Sequence, residues 1–254
     1  MKDPRLVLDA IPGFAGTRVL SQLSAGPSNN SYEVEQGGEL FVLRIDKAAV
    51  VGLGLNRHSE KQVCLRLAEA GLASQPVFFD ADAGIYLRRY VPGRTWERRD
   101  LDDPGKLEHL AALLREVHSI APAGKPFEPL RAAARYAKQL ATPEASLLYD
   151  EAARNFAAIE SLSATLCHND LVCQNVLENE RLQLIDWEYA GIGDPFFDLA
   201  VVVQHHELEK GLARHFLDAY LQEDAAEVDI IRLDAQSRFY QRLLDLWNLR
   251  VVNL

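Results

Sequence analysis

The sequence predicts an α+β protein with a small sheet-rich N-terminal half and a larger helical C-terminal half. Three observations carry this. The first ninety residues hold short runs rich in β-branched and aromatic residues, separated by breaks such as Gly37-Gly38 and Pro92-Gly93. Beyond residue 94 the apolar spacing changes to three and four, the helical period. One short hairpin pattern, around Asn179-Glu180, interrupts the helices. A length of 254 residues, 48% of them hydrophobic and 25% charged, suits one large domain or two small ones. The change of period places a boundary near residues 90 to 94, giving halves 1–91 and 92–254, and a cleft between such halves is the default place for a ligand.

The elements follow in order. Residues 18–23 read as a strand, and 31–36 and 39–46 as a hairpin about Gly37-Gly38. Residues 47–55 form a looser stretch, with Gly52-Leu53-Gly54 as a flexible loop. Asn56 is placed to cap a helix that runs to about Ala70 and stops at Gly71. Residues 84–91 read as another strand. In the second half, 104–120 is amphipathic, with Leu107, Leu110, Leu114 and Val117 on one side. Further helices fit 130–140, 145–161, 195–208, 211–222 and 228–252. The hairpin pairs 175–177 with 182–185, and residues 223–227 read as a solvated connection. No internal repeat or low-complexity tract is present.

The charge balance excludes some classes of function. There are 27 Lys and Arg against 37 Asp and Glu, a formal net charge of -10. A broad basic footprint for nucleic acid or an acidic membrane is absent, although a local basic pocket is allowed. No apolar run approaches the roughly 20 residues of a membrane span. Asp3, Arg5 and Asp9 interrupt the N-terminal apolar residues, so no signal peptide is read there. Cys64, Cys167 and Cys173 are odd in number and lack zinc-site spacing, which suits reduced thiols and a cytoplasmic location.

The most informative segment is 167–200. It holds His168-Asn169-Asp170, then Asn175, then Leu184-Ile185-Asp186. Asp170 and Asn175 lie five residues apart on a tight loop, and the hairpin returns Asp186 beside them. Two carboxylates and a carboxamide suit Mg²⁺ bridging phosphates, because Mg²⁺ takes hard oxygen ligands and keeps water and phosphate in its shell. The spacing resembles the His-x-Asp-x-x-x-x-Asn catalytic loop and following metal-binding Asp of the protein-kinase-like superfamily. His168-Asn169-Asp170-Leu171, Ile185-Asp186-Trp187-Glu188-Tyr189-Ala190 and Gly193-Asp194-Pro195-Phe196-Phe197-Asp198-Leu199-Ala200 resemble the aminoglycoside phosphotransferase group. Its choline/ethanolamine kinase-like and thiamine kinase-like branches are the most similar.

The resemblance implies a bilobal protein-kinase-like fold, with a nucleotide-binding lobe at 1–91 and a helical lobe at 92–254 holding the catalytic loop and acceptor site. It implies ATP and Mg²⁺ as cofactors. Asp170 would orient the acceptor hydroxyl and take its proton, Asn175 and Asp186 would hold Mg²⁺, and His168 and Asp198 would brace the loop. In the first half, Ser28, Asn29 and Asn30 lie in a polar turn that resembles the family's Ser-Asn-x-x-Tyr loop and could offer donors to phosphates. Arg44 stands at the strand end where protein kinases place a Lys, which implies a phosphate contact. Its expected partner is Glu60, which shares a helix face with Val63, Cys64 and Leu67 and so points inward, where a carboxylate needs a partner. Tyr90 lies in the segment that would meet the nucleotide base.

Only seven residues separate Asp186 from Asp194, too few for a long activation loop, which favours a small hydroxylated acceptor over a peptide. Glu188, Glu207, Tyr240 and Trp247 are acceptor candidates, since aromatic faces and a carboxylate suit a cation; on pattern alone Tyr240 and Trp247 also fit the core. The expected activity is phosphoryl transfer to choline or ethanolamine. Thiamine kinase, an aminoglycoside-type phosphotransferase and an inactive nucleotide-binding interaction module are the alternatives. His205, His206, Glu207 and Glu209 lack a His-Glu-x-x-His pattern and read as solvated or substrate-facing. Cys167 and Cys173 flank the loop, but direct transfer needs no thiolate.

Overall fold

A strand buried on both faces sorts its odd and even residues onto different neighbours, and this rule organises the N-terminal unit. The computed structural model describes residues 2–48, 50–159 and 164–252. The chain forms two compact units, residues 1–92 and 93–254. The first contains α1 (Pro4–Asp9), β1 (Arg18–Ala25), β2 (Asn29–Gln36), β3 (Glu39–Asp46), α2 (Val50–Leu53), α3 (Arg57–Glu69), β4 (Pro76–Asp80) and β5 (Ile85–Arg89). The strands form one antiparallel sheet in the order β1-β2-β3-β5-β4. The β2–β3 turn pairs Gln36 with Glu39 and holds Gly37 and Gly38 at φ 61° and 83°, as the hairpin signal requires.

On β3, Phe41, Leu43 and Ile45 join Val7, Leu8, Ile11 and Phe14 from α1 and its following turn in one apolar cluster. The alternate residues Val42 and Arg44 are also buried. Helix α3 begins where Asn56 caps it, Oδ1 accepting from the Ser59 N–H, and Gly71 follows it at φ 74°. The expected strand at 18–23 extends to Ala25, and the one at 31–36 begins two residues earlier. Asn29 and Asn30 therefore belong to a strand, because their backbones pair with Asp46 and Ile45. In this unit the sequence reading missed α1, β4 and α2, which occupies part of the stretch expected as a loop. Helix α1 has six residues, too few to display a period, and β4 is an edge strand that opens on a proline.

The second unit contains β6 (Arg94–Thr95), a 3₁₀ turn at Arg98–Asp102, α4 (Pro104–Ser119), α5 (Pro129–Leu140), α6 (Pro143–Ala157) and β7 (Thr165–Cys167). A 3₁₀ turn at Cys173–Asn175 then precedes β8 (Val176–Glu178), β9 (Leu182–Leu184), β10 (Gly191–Gly193), α7 (Pro195–His205), α8 (Lys210–Leu221) and α9 (Glu227–Val252). The expected helix over 145–161 is α6; the end of that expectation, 160–161, lies outside the described residues. Leu107, Leu110, Leu114 and Val117 of α4 are fully buried, as their spacing predicts, and His118 lies in the same buried set. Helix α9 packs on α5, α6 and α7, and α4 packs on α8 and β7. The three-residue strands β7 and β10 pair with each other and deliver the chain to both ends of the candidate site. No helix among the described residues is long and apolar enough to cross a membrane.

Candidate active site

The loop after β7 is held from below by one carboxylate. Asp198, fully buried in α7, accepts the His168 N–H at Oδ2 (2.8 Å) and the Asn169 N–H at Oδ1 (2.6 Å). His118 Nε2 also bonds Oδ2 (2.9 Å), and its Nδ1 meets the Tyr220 hydroxyl (2.8 Å). Asn169 adopts φ 64°, a left-handed conformation that Asn tolerates better than most residues, and its Nδ2 donates to the Tyr189 carbonyl (3.0 Å). His168 accepts the Asp170 N–H at Nδ1 (3.3 Å), so Nε2 carries the proton and donates to the Ile185 carbonyl (3.0 Å). Burial pushes the His168 imidazole below its ordinary range, consistent with that neutral form. Its ring also rests 4.5 Å from that of Trp187.

Asn175 and Asp186 are brought side by side by a backbone bond, Ile185 N–H to Asn175 O (2.9 Å). The Asn175 amide donates through Nδ2 to the Asp170 carbonyl (2.8 Å) and Oδ2 (3.2 Å). Its Oδ1 is therefore the ligand atom it can offer, a hard oxygen. Asp186 is solvent-exposed at φ 64°, a costly backbone for a non-glycine residue. A carboxamide oxygen beside an exposed carboxylate fits Mg²⁺. Asp170 is half-buried, and its carboxyl is pushed up to about 8 by burial, then by the negative charges of Asp186 and Glu188, against the opposing Asn175 bond. A group that titrates near neutrality is suited to general-base work.

Glu188 is buried and adds to the field at Asp170. Tyr240 is buried edge-on against Phe197 (5.8 Å), bonds His205 Nδ1 through its hydroxyl (3.0 Å), and feels the Asp170 charge. Trp247 is half-buried and hydrogen-bonds Tyr189, whose phenol also bonds Tyr136. Glu207 is exposed and stands apart from this set, lining a cavity with Arg98, Cys173, Gln174, His205 and His206. Burial pushes the Cys173 thiol up to about 11 and the Cys167 thiol well above its usual range, so neither is an activated nucleophile.

In the N-terminal unit, Arg44 and Glu60 form a two-pronged pair, Nη1–Oε1 2.6 Å and Nη2–Oε2 2.7 Å, at 7% and 1% exposure. Arg57 adds Nη1–Glu60 Oε2 (2.8 Å) and clasps Asp46 through Nε and Nη2 (2.8 Å each). The cross-strand Tyr86 ring lies 5.2 Å from the Arg44 guanidinium carbon. Gly84, at φ 64°, keeps this network possible, since a Cβ there would come 2.7 Å from the Asp46 side chain. Ser28, Asn29 and Asn30, the expected donors to phosphate, lie where β1 turns into β2. All three are buried; Asn29 donates to Ser28 Oγ (2.9 Å) and accepts from Ser31, and Asn30 accepts from Gln22 (3.3 Å). These side chains tie the turn to the sheet. Tyr90 is half-buried, and its N–H extends the sheet by bonding the Leu40 carbonyl (2.9 Å).

The sequence reading missed Arg57, Asp46, His118 and Tyr136. Only His118 carried a readable signal, a polar residue four positions beyond Leu114 on an otherwise apolar helix face.

Residues 19–231 match the model of the phosphotransferase enzyme family. Protein LicA of Haemophilus influenzae is 29% identical over 209 residues, 77% of this chain and 60% of that protein, so the chain spans less than two thirds of this relative. A solved choline/ethanolamine kinase family protein from Mesorhizobium loti superposes with a TM-score of 0.77 at 25% identity, covering 96% of this chain and 84% of that one. Choline kinase LicA from Streptococcus pneumoniae superposes with a TM-score of 0.79 at 21% identity, covering 98% and 89%, a likeness of fold.

Proposed function

The chain belongs to the phosphotransferase enzyme family, and on that premise we propose that it is an ATP- and Mg²⁺-dependent kinase for a small cationic alcohol, choline or ethanolamine. The observation that carries the reading is Asp170, a half-buried carboxylate held up near neutrality, bonded to Asn175 and beside Asp186. Asp170 accepts the proton of the acceptor hydroxyl as its oxygen attacks the γ-phosphorus. The bond from that phosphorus to the β–γ bridging oxygen breaks, and ADP leaves with the electron pair. Asn175 Oδ1 and Asp186 would hold Mg²⁺, which when bound neutralises phosphate charge. His168 and Asp198 keep the loop backbone fixed during transfer, so that little reorganisation is needed. In the N-terminal unit, the guanidinium of Arg44 would meet phosphate. The Ser28–Asn30 turn and the backbone near Tyr90 would border the nucleotide.

The acceptor reading is supported by Glu188 and by the tyrosines and tryptophan near Asp170. Aromatic faces with a buried carboxylate suit an ammonium group. Glu207 is a weaker candidate because it is exposed and apart from this cluster. The names of the choline and ethanolamine kinases similar to this chain point the same way. The test is ADP release with a panel of hydroxylated compounds. Choline or ethanolamine should lead, and Asp170→Asn should lose about 10²- to 10⁴-fold in turnover while still binding Mg-nucleotide. Faster turnover of neutral sugars, or of thiamine or an aminoglycoside, would remove the choline reading. Full activity of Asp170→Asn would remove the base assignment.

A further inference from the structure

Four charged side chains of the N-terminal unit stand in one row, Asp46, Arg57, Glu60 and Arg44, with anion and cation alternating. Arg44 and Asp46 are two residues apart on β3 and so share one face of the strand. Arg57 and Glu60 are three apart in the first turn of α3, where such side chains are neighbours. Helix α3 is therefore fastened to β3 at two rungs, Arg44–Glu60 and Asp46–Arg57, about 6.6 Å apart along the strand. One rung alone would let the helix pivot about it; two rungs fix its tilt. Arg57 also bonds Glu60 (Nη1–Oε2 2.8 Å), so the rungs are tied to each other.

Arg57 is the hub of this row. It is buried, and its guanidinium lies side-on to Asp46 through Nε and Nη2 while Nη1 meets Glu60. A planar fork holds two carboxylates in fixed directions, which an ammonium does not do. On one side, Glu60 Oε2 accepts from both Arg57 Nη1 and Arg44 Nη2 (2.7 Å), so the place of Arg57 sets the place of the carboxylate that orients Arg44. On the other side, Asp46 stands at a corner of the chain, its N–H donating to the Gly84 carbonyl (2.9 Å). The next residue, Lys47, holds the turn before β2 twice. Its N–H donates to the Ser28 carbonyl (2.8 Å) and its Nζ to the Gly26 carbonyl (2.6 Å). Arg44 and the turn that would border the nucleotide thus both lead back to one guanidinium.

We propose that Arg57 is a positioning residue for the nucleotide phosphates: through Glu60 it aims Arg44, and through Asp46 and Lys47 it steadies the turn at residues 26–28. This role rests on the nucleotide-binding reading of the unit and is independent of the acceptor. All three nitrogens of Arg57 are given to the two carboxylates, so it acts by holding their direction. Loss of the hub should loosen the grip on the phosphates and leave the base, which would meet the backbone near Tyr90, held as before. A purely structural ion pair would instead lower stability and spare nucleotide affinity.

The test is calorimetric titration of the full chain with a non-hydrolysable ATP analogue and Mg²⁺, and with adenosine as the phosphate-free probe, well below each variant's Tm. Arg57→Lys keeps the charge and loses the fork; Asp46→Asn keeps the size and loses the anion. Each should weaken the analogue by about 2- to 30-fold, the scale of a residue acting at one remove, and leave adenosine unchanged. In turnover assays the ATP KM should rise and the acceptor KM should stay. Leu8→Ala, in the apolar cluster on the opposite face of β3, is the stability control, and its Tm should fall with the analogue's affinity unchanged. If Arg57→Lys and Asp46→Asn, shown folded by circular dichroism, bind the analogue as wild type does, the positioning role is overturned. Equal losses for analogue and adenosine, or an affinity that follows Tm in Leu8→Ala as well, would overturn it in favour of packing. Folded wild type that binds no analogue would remove the nucleotide reading itself, and the role of Arg57 with it.

Discussion

Glu60→Ala tests whether the N-terminal unit is held by a buried charge network. Glu60 is the anion shared by Arg44 and Arg57, and Arg57 is further neutralised by Asp46. Removing Glu60 leaves two buried guanidiniums without the carboxylate they share. Breaking a buried pair from one side costs about 3–5 kcal/mol. For a chain of this size each kcal/mol moves Tm by roughly 2–4 °C, so the expected fall is roughly 6–20 °C. Arg44→Ala should cost less, because Glu60 keeps Arg57 at 2.8 Å. In a double-mutant cycle the Arg44 and Glu60 changes should be non-additive by about 1 kcal/mol or more. Thermal and urea unfolding of the nucleotide-free chain measure both. The pH dependence has a defined sign. Burial by itself would raise the Glu60 carboxyl, and Arg44 and then Arg57 more than reverse it, leaving it below its ordinary 4.5. Stability from this group is therefore present above about that value and lost as pH falls through the lower folded value. The gap between wild type and Glu60→Ala should narrow on acidification. Equal costs for Arg44→Ala and Glu60→Ala, with clean additivity and no pH dependence, would refute the network.

The Asp170 carboxyl lies near 8 without Mg²⁺ and transfer needs its ionised form, so kcat/KM should climb with pH along an acidic limb that lies below that value once Mg²⁺ is bound. Glu188→Gln removes one of the like charges that raise Asp170, so the acidic limb should move to lower pH; an upward move or no move would count against the coupling. Trp247→Ala should raise the acceptor KM by roughly 2- to 30-fold, the equivalent of about 0.5–2 kcal/mol for one cation–aromatic contact, with the ATP KM nearly unchanged. Equal damage to both, with a lower Tm, would mean a packing role. Cys167→Ser should retain turnover, and complete loss with an intact fold would revive a thiol mechanism.

The sequence was legible where chemistry or period is local. The loop motif named Asp170, Asn175 and Asp186, and the structure joins them by bonds that span five to ten residues. The inward face of α3 pointed Glu60 at a partner, and β3 supplied Arg44. What stayed hidden was the third dimension of each cluster. Arg57 opens α3 and reads as a surface residue; only the turn of the chain after β3 brings Asp46 and Glu60 to it. Tyr220 meets His118 across 102 residues, and no spacing rule reaches so far. Short strands such as β7 and β10 have three residues each and lack room for an alternating pattern. At the Ser28–Asn30 turn the polar side chains are spent on their neighbours, which polar composition alone does not tell.

The carboxylates around the loop divide the electrostatic work unequally. Asp198 carries its charge into the interior and has it answered by two N–H groups and an imidazole, so its field is largely consumed in fixing backbone. At Asp170, the half-buried member of the group, burial first and then the negative charges of Asp186 and Glu188 appear as proton affinity. Without cations, a proton at Asp170 is the cheapest relief. A divalent ion at Asn175 and Asp186, and an ammonium group near Glu188, would each add positive charge and favour loss of that proton. The base would then become competent as its two cationic partners arrive, and idle ionisation at the loop would be disfavoured before they do. A neutral acceptor would leave half of this compensation undone. The pH behaviour of Asp170 and the proposed preference for a cationic alcohol would therefore share one arrangement of charge.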